Sequence, residues 1–550
     1  MDTGSGDPRD DLRQAIDDEI NSLEQSIRVL KSRRNTLAPI SCLPPETLAT
    51  IFSFLSPDEG DFHLDWICFS RVCRHWRETA LNYPRLWSHI NFRVLYDSYK
   101  NTEGAPAIIA EILARAKTVP LHLDFNLHLV EPGNDAFLQQ IDAHISQTRH
   151  LRVTGPLISV KPLVSSAPIL ESLSLLRTDS YTIPIPSDLF NCTTPSLRIL
   201  ELENFDISWK APLLKGLQSL ELRYLSVEAP PELEDWLDAL NEMPQLKTLS
   251  LHSATPVAPP APLISEPSRT ITLPSLTKFH ISSSAKNCTL ALAHLVMPAL
   301  AWLHVDANSD EVEGEDVRPL IPYVARNACR LQDTEPLRSI LISDNESSCV
   351  NVFAGIPDTD LEYHPIDPDR YNTTIPAVPA RLRFTATNTD WHRGVGVGIY
   401  DTLLAVLPLD SVSTFMAHSC TEFSKEFWLS QAPRWSSLEQ AHLAPAAVKV
   451  FSDMLAENAP PDGPRLPTLT KLVLLRVELT APRMLSLRDM LIERVERGVP
   501  LDVLDLCTCF AFAPEHIIQL LGEVVVDVKE PLMEVVHQTC DVDVNKRARW

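Results

Sequence analysis

Glycine is scarce in this sequence, and so is basic charge. Only 15 of the 550 residues are glycine, about 3 % against an average near 7 %. Loops that cradle phosphate groups or dinucleotides need backbone without a Cβ atom, so this shortage argues against them. Lysine and arginine number 48 against 72 acidic residues, which gives a formal net charge of −24. A protein that coats nucleic acid needs the opposite field, and we therefore expect no nucleic-acid partner.

Long apolar runs and paired cysteines are missing as well. The longest apolar stretches, 295–305 and 403–409, are far shorter than the ~20 residues that cross a bilayer. The N-terminus has no secretory pattern. Of the 11 cysteines, Cys507 and Cys509 are closest and have no second pair nearby; ordinary buried thiols are the simpler interpretation and a metal site is the alternative. We expect a cytoplasmic and/or nuclear protein with no membrane partner, no metal and no cofactor.

Proline and apolar residues are plentiful. The sequence has 45 prolines, which predict many short elements with abrupt ends, and 44 % hydrophobic residues, enough for a sizeable core. The length suits either several domains or one long repeat array. We expect a mixed α/β fold with three parts, 1–38, 39–92 and 105–550.

Residues 1–38 carry a heptad pattern. Neither glycine nor proline occurs between Asp10 and Ala38, and Pro39 ends the run. The pattern predicts an amphipathic, coiled-coil-like helix, which would pack on its own protein or bind a partner helix, including a second copy in a weak homodimer. The seam positions, spaced alternately by four and three residues, are Ile16, Ile20, Leu23, Ile27, Leu30, Arg34 and Leu37.

Residues 39–92 contain two helical patterns and a short closing segment. A helix opens at the segment Leu43-Pro44-Pro45-Glu46, where proline suits a first turn and the acid suits the positive helix end. Its single apolar stripe has i, i+3, i+4 and i+7 spacing and consists of Leu48, Ile51, Phe52 and Leu55. A second helical pattern carries Trp66, Phe69, Val72, Cys73 and Trp76, and the unit closes with Pro84, Leu86 and Trp87.

The stretch LPPETLATIFSFL, followed by VCRHWRETA and YPRLW, resembles an F-box. The resemblance implies a three-helix module, which in that family docks onto the Skp-type adaptor of cullin-based ubiquitin ligases. The interval between Leu55 and Val72 is longer than is typical of that family. The preceding heptad helix resembles the arrangement in the large F-box families of mushroom-forming fungi. The resemblance implies adaptor-binding roles for Leu43, Pro44, Pro45, Glu46, Leu48, Ile51, Phe52, Leu55, Val72, Cys73 and Trp76.

Residues 105–550 repeat the template L-x-x-L-x-L. The copies begin at 170, 197, 217, 246, 276, 300, 337, 438, 469 and 501, with conservative replacements in several of them. The first six are 20 to 30 residues apart, close to the 20–29 of leucine-rich repeats. We predict an irregular leucine-rich-repeat solenoid whose short strands bury the last two apolar residues of each copy. A nonrepetitive α/β domain with leucine-rich strands is the alternative.

The repeat departs from the regular pattern in two ways. Asn or Cys three residues after the final leucine is absent, since those positions hold Thr178, Phe205, Leu225 and Ala254. The template also fades over about 306–435. The segment Gly394-Val395-Gly396-Val397-Gly398 lacks the third glycine of a dinucleotide loop, and we expect a strand or turn there.

We found no catalytic motif in the sequence and expect a protein that is not an enzyme. The pattern favours a substrate-recognition subunit that holds the adaptor with one part and a target protein with the repeats. The alternative is a scaffold or interaction protein in which the F-box-like helices only cap the solenoid.

Overall fold

The computed structural model divides the chain into two compact units, Met1–Leu217 and Gln218–Trp550. The fold is mixed α/β with mostly parallel strands, and none of the described helices is both long enough and apolar enough to cross a membrane. The structure describes residues 8–54, 70–91, 105–126, 134–156, 158, 160–225, 230–259, 267–308, 316–345, 349–356, 380–387, 395–418, 425–456, 464–511, 519, 521–522, 524–529 and 532–533.

The described part of the first unit holds five α-helices and seven strands. The helices are α1 (Pro8–Thr36), α2 (Pro45–Phe54), α3 (Arg74–Leu81), α4 (Ala105–Ala116) and α5 (Asn134–Asp142). The strands are β1 (His89–Asn91), β2 (Leu121–Asn126), β3 (Thr148–Gly155), β4 (Ser172–Arg177), β5 (Ile183–Pro184), β6 (Ile199–Glu203) and β7 (Phe205–Asp206). β1, β2, β3, β4 and β6 are parallel neighbours in that order, and β5 pairs with β7.

The described part of the second unit holds seven α-helices and sixteen strands. The helices are α6 (Leu233–Asn241), α7 (Ala285–His294), α8 (Ile321–Thr334), α9 (Val395–Val406), α10 (Lys425–Gln431), α11 (Pro445–Ala456) and α12 (Ala481–Glu496). The strands are β8 (Ser219–Arg223), β9 (Thr248–His252), β10 (Ile271–Thr272), β11 (Lys278–Ser283), β12 (Leu295–Val296), β13 (Trp302–Asn308), β14 (Ser339–Asn345), β15 (Cys349–Ala354), β16 (Leu382–Thr387), β17 (Thr414–His418), β18 (Gln440–Leu443), β19 (Lys471–Leu474), β20 (Val503–Asp505), β21 (Phe510–Ala511), β22 (Asp527–Lys529) and β23 (Leu532–Met533).

The sequence template coincides with the strands. In all ten copies the last two template residues are buried, and they lie within a strand or, in the case of Leu506, directly after one. Neighbouring strands hold them in register, so that Leu249 of β9 is level with Leu220 on one side and with Phe279 on the other. Alternate strand residues share a face, and the stacked pairs therefore form continuous apolar columns.

The chain turns in the same way after several of these strands. Four residues that stand two positions after the final template leucine have left-handed backbone, with φ between 47° and 59°: Asn204, Tyr224, Ser253 and Arg476. The buried Asn204 amide also donates hydrogen bonds of 2.9 Å to the carbonyls of Arg177 and Asp179. It satisfies backbone acceptors of the preceding turn, one position earlier than the sequence comparison of regular repeats predicts.

Three arginines anchor helix ends in the second unit. Each comes from a later part of the chain and donates to main-chain carbonyls at the C-terminal end of a helix, where carbonyls run short of intrahelical donors. The pairs are Arg326 with the carbonyl of Leu292 near the end of α7, Arg381 with those of Leu331 and Glu335 at α8, and Arg434 with those of Leu404 and Leu407 at α9.

The sheet of the second unit changes its order after β13. The neighbour of β13 is β16, followed in space by β15, β14 and β17. β15 is antiparallel to both of its neighbours, whereas the β13–β16 and β14–β17 pairings are parallel. Successive residues such as Leu341 and Ile342 are both buried, so both faces of this part of the sheet are covered. The template fades over 306–435 because β14, β15 and β17 do not alternate buried and partly buried residues, although β16 still does.

The glycine-rich segment at 394–398 is a correction to the sequence analysis. We expected a strand or turn, but α9 begins at Val395. Its later turns bury Tyr400, Leu403 and Leu404, which lie on one helical face. Burial of that face outweighs the roughly 1 kcal/mol that each helical glycine costs.

Candidate functional site

Helix α2 forms the first half of the candidate site. Pro45 begins the helix and Glu46 lies in its first turn, where proline and an acid are both favourable. The side chains of Leu48 and Phe52 are 0 % and 1 % exposed, so these two predicted adaptor residues form the core of the module within this chain. Leu55 lies outside the described residues.

Helix α3 packs on α2 through aromatic rings. The Trp76 ring centroid lies 5.3 Å from that of Phe52, with the planes tilted by 57°, a geometry that aromatic pairs favour. Trp76 itself is only partly buried. The ring pair fixes α3 against the buried stripe of α2.

The start of the second helix corrects the sequence analysis. We placed Val72 and Cys73 on a helical stripe with Trp76, but α3 begins at Arg74. Cys73 is extended, with φ −157° and ψ 172°, and precedes the first helical turn. Val72 is 54 % exposed and contributes to the surface instead. Trp66 and Phe69 lie outside the described residues. The described part of the module contains two α-helices, and 3₁₀ turns occur at Pro39–Cys42 and Pro84–Trp87.

The end of the module is joined to the sheet of the first unit. Trp87 is buried, and its indole nitrogen donates a 2.9 Å hydrogen bond to the carbonyl of Ala80 at the end of α3. The Arg115 guanidinium of α4 lies 4.7 Å from the Trp87 ring centroid, within the range of a cation–π contact. The chain then enters β1, where Ile90 begins an apolar column opposite Leu123. The module and the first strands therefore share one core.

The accessible face of the module surrounds the beginning and the outer flank of α2. Pro44, Pro45 and Glu46 are exposed, while Leu43 and Ile51 are partly buried. Phe54, which we did not single out in the sequence, is 83 % exposed. An aromatic residue outside the apolar stripe was the signal that could have identified it.

Basic side chains flank the exposed Val72 in the sequence. Arg71 and Arg74 are exposed on either side of Val72 and Cys73, and Arg77 donates a 2.8 Å hydrogen bond to the carbonyl of Ser70. Exposed aromatic, aliphatic and arginine side chains together are typical of protein-binding surfaces. The arrangement suits contact with a protein.

A second polar surface lies on β9, β11 and β13 of the second unit. Three histidines follow one another across these strands, with ring centroids 4.3 Å apart for His252 and His280 and 5.7 Å apart for His280 and His304. Burial and the neighbouring His280 lower the pKa of His252 to about 4. His280 pairs with Asp306 at 2.9 Å. Burial acts to raise the pKa of Asp306, but that hydrogen bond and the charge of His280 lower it on balance.

The histidine surface offers no ready metal site. Within the described part of the chain, no three His, Cys, Asp or Glu side chains are grouped so that they could hold a metal ion. Cys509 is buried, its thiol donates to the carbonyl of Leu474 at 3.2 Å, and burial raises its pKa to about 11. The histidine and aspartate side chains can instead accept and donate hydrogen bonds to a partner protein.

Comparison with known families supports the resemblance. Residues 40–93 match the model of the F-box-like family. No curated protein matches the chain. The chain thus carries an F-box-like domain at its N-terminal side, in the part of the first unit that contains α2, α3 and β1.

Proposed function

We propose that this protein is a substrate-recognition subunit of a cullin-type ubiquitin ligase. The observation that carries the proposal is the F-box-like match over residues 40–93 together with an accessible Leu43–Glu46 segment at the start of α2. F-box domains typically bind Skp-type adaptors, and through the adaptor this chain would join the cullin. The contacts come from the exposed edge and flank of α2, while Leu48 and Phe52 hold the module together.

The strand-rich parts of the two units would form irregular leucine-rich-repeat arrays. Three features support this proposal: the template residues are buried in register, the strands are mostly parallel, and the turns after several strands share left-handed backbone. Repeat arrays expose one broad strand face that suits a protein target. The polar surface around His252, His280 and Asp306 is the part of that face we propose for target binding.

In this proposal the protein contributes to ubiquitin transfer by holding the target close to the conjugating enzyme. A receptor that holds adaptor and target together makes the encounter between a target lysine and the conjugating enzyme effectively intramolecular. No residue of this chain transfers ubiquitin in the proposal, so the protein is not an enzyme and needs no cofactor. The protein acts in the cytoplasm and/or the nucleus, where the ligase operates.

Surface substitutions test adaptor binding without disturbing the core. Val72→Asp and Val164→Asp are matched, because both valines belong to the first unit and both are 54 % exposed. We expect Val72→Asp to weaken adaptor co-purification about tenfold, the scale of one interface hot spot, and Val164→Asp to leave it unchanged. Phe54→Asp and Glu46→Arg extend the test to α2. Full adaptor recovery with Val72→Asp, Phe54→Asp and Glu46→Arg alike would refute the assignment.

The alternative function is a scaffold in which the F-box-like helices only cap the sheet. The junction at Trp87, Arg115 and Ile90 favours it, because the module shares a core with the first strands. The partial exposure of Trp76, which packs on Phe52, fits adaptor binding better than a role as a buried cap residue. A pull-down in which the intact chain recovers no adaptor would favour the scaffold.

A further inference from the structure

Helix α1 exposes an apolar stripe along its length. Every described side chain between Arg9 and Thr36 is exposed except Asn35, which is partly buried. Five apolar seam residues of α1 are exposed, with exposed fractions from 48 % to 62 %: Ile16, Ile20, Leu23, Ile27 and Leu30. A helix with an uncovered stripe at heptad spacing gains its stability when a second helix covers the stripe.

Charge is distributed unevenly along the same helix. The acids, Asp10, Asp11, Asp17, Asp18, Glu19 and Glu24, occupy its first half and middle. Four of its six bases, Arg28, Lys31, Arg33 and Arg34, occupy its last three turns. The distribution complements the helix dipole of a single chain. It also determines which orientation of two copies brings opposite charges together.

We propose that α1 pairs with α1 of a second copy in an antiparallel coiled coil. When Leu23 faces Ile27 of the second copy, Ile20 faces Leu30, and four apolar layers form the centre. At the flanks, Asp17 then lies beside Lys31 of the second copy and Glu19 beside Arg33. Symmetry repeats each of these contacts, so four ion pairs border the seam. Among the charged flanking residues only Glu24 meets its own equivalent, and each Glu24 already pairs with Arg28 of its own chain at 3.1 Å.

The parallel orientation brings like charges together. Flanking positions five residues apart in sequence would then meet, and Glu19 would lie beside Glu24 of the second copy. The seam residue Arg34 would face its own equivalent, and so would Arg13, which continues the heptad spacing three residues before Ile16. Unlike the antiparallel pair, the parallel pair has no opposite charges at the flanking positions. The surface therefore fits a second copy of this chain in the reversed direction.

Lys31 provides a direct test of the orientation in the full chain. It is the only lysine in residues 1–99, and it is about 21 Å from Asp17 along its own helix at 1.5 Å per residue. A zero-length carbodiimide therefore cannot join these two residues within one chain or across a parallel pair. We expect light scattering to give twice the mass of one chain at tens of micromolar protein. We also expect a Lys31–Asp17 link that joins isotopically light to heavy chains.

Charge reversal tests the ion pairs. Asp17→Lys with Glu19→Lys, and separately Lys31→Glu with Arg33→Glu, should each convert the dimer to monomer, and mixing the two variants should restore a dimer. The matched control, Asp18→Lys with Gln25→Lys, places two lysines on the outward side of α1, leaves the Glu24–Arg28 pair intact and should remain dimeric. If the wild-type chain stays monomeric, a different protein must cover the apolar stripe, and the proposal is overturned. A dimer without the Lys31–Asp17 link, or without rescue on mixing, overturns the antiparallel orientation.

Discussion

Two helices at the N-terminal side have the same kind of apolar periodicity and opposite environments. In α2, the stripe residues Leu48 and Phe52 are fully buried against the chain itself. In α1, Leu23 and Leu30 are 58 % and 62 % exposed. Periodicity therefore predicts that a helix has an apolar face, but the surrounding chain decides whether that face belongs to the core or to an interface.

The sharpest test of this contrast is the same substitution at both helices. Leu48→Ala should destabilise the module by about 2–5 kcal/mol, because it leaves a cavity in the core. Leu23→Ala should change the stability of the monomer by less than about 0.5 kcal/mol, as for other exposed sites. Hydrogen exchange of the α2 amides, at protein concentrations low enough to keep the chain monomeric, measures both. Similar exchange in the two variants would contradict the difference in burial.

A mostly buried and an exposed arginine differ in the same way as the two leucines. The Arg381 side chain is 11 % exposed and caps the end of α8, whereas that of Arg28 on α1 is 71 % exposed and pairs with Glu24. Arg381→Ala should cost about 2–3 kcal/mol, because charged hydrogen bonds to main-chain carbonyls are lost. Arg28→Ala should cost no more than about 0.5 kcal/mol. Chemical denaturation of the second unit, compared with that of the first, separates the two effects.

His418 should make the stability of the second unit depend on pH. Burial and the neighbouring His442 lower the pKa of His418 to about 4. Since this folded-state pKa is below the unfolded value of about 6.5, the unfolded state binds the proton first. The stability that the uncharged His418 contributes is present above pH 6.5 and is lost as the pH falls toward 4.

We therefore expect the second unit to lose about 2 kcal/mol between pH 7 and pH 5 from this residue. His418→Gln should flatten that part of the profile. Thermal denaturation across the pH range measures it. An equally steep profile in the variant would show that His418 does not titrate as its burial requires.

The smallest expected effect is that of salt on the two helix faces. Raising the ionic strength from 0.05 to 0.5 M should weaken α1 self-association by a factor of about three, because its flanking ion pairs are exposed and screened. The Phe52–Trp76 contact is apolar and should respond little. Sedimentation equilibrium measures the first and hydrogen exchange of α2 the second. Self-association that does not respond to salt would assign the α1 contact to its apolar seam alone.

Much of the fold could be predicted because local patterns determine it. The helices at 8–36, 45–54 and 233–241 and the strands under the leucine template follow from periodicity and proline positions. The F-box-like segment was recognisable because its motifs occur in a fixed order, and the family match confirms it.

Other features depend on long-range contacts. The pairing of β13 with β16, the capping of α8 by Arg381 and the left-handed backbone at Tyr224 join or place residues in ways that no short window of sequence records. In the candidate site, Leu48 lies on the apolar stripe of α2, and such a position is equally compatible with burial in the core and with adaptor contact. Sequence alone could not distinguish these two roles. Phe54 and Val72 became candidates only when their exposure was known.

The pairing of β13 with β16 imposes a waiting time during synthesis. β13 ends at Asn308 and β16 begins at Leu382, so at roughly 5–20 residues per second the ribosome needs about 4–15 s to supply the missing neighbour. During that interval one edge of β13 has no partner, and an open strand edge is a template for incorrect pairing. The nascent chain would therefore be vulnerable to aggregation, and would benefit from chaperones, at this stage of its synthesis.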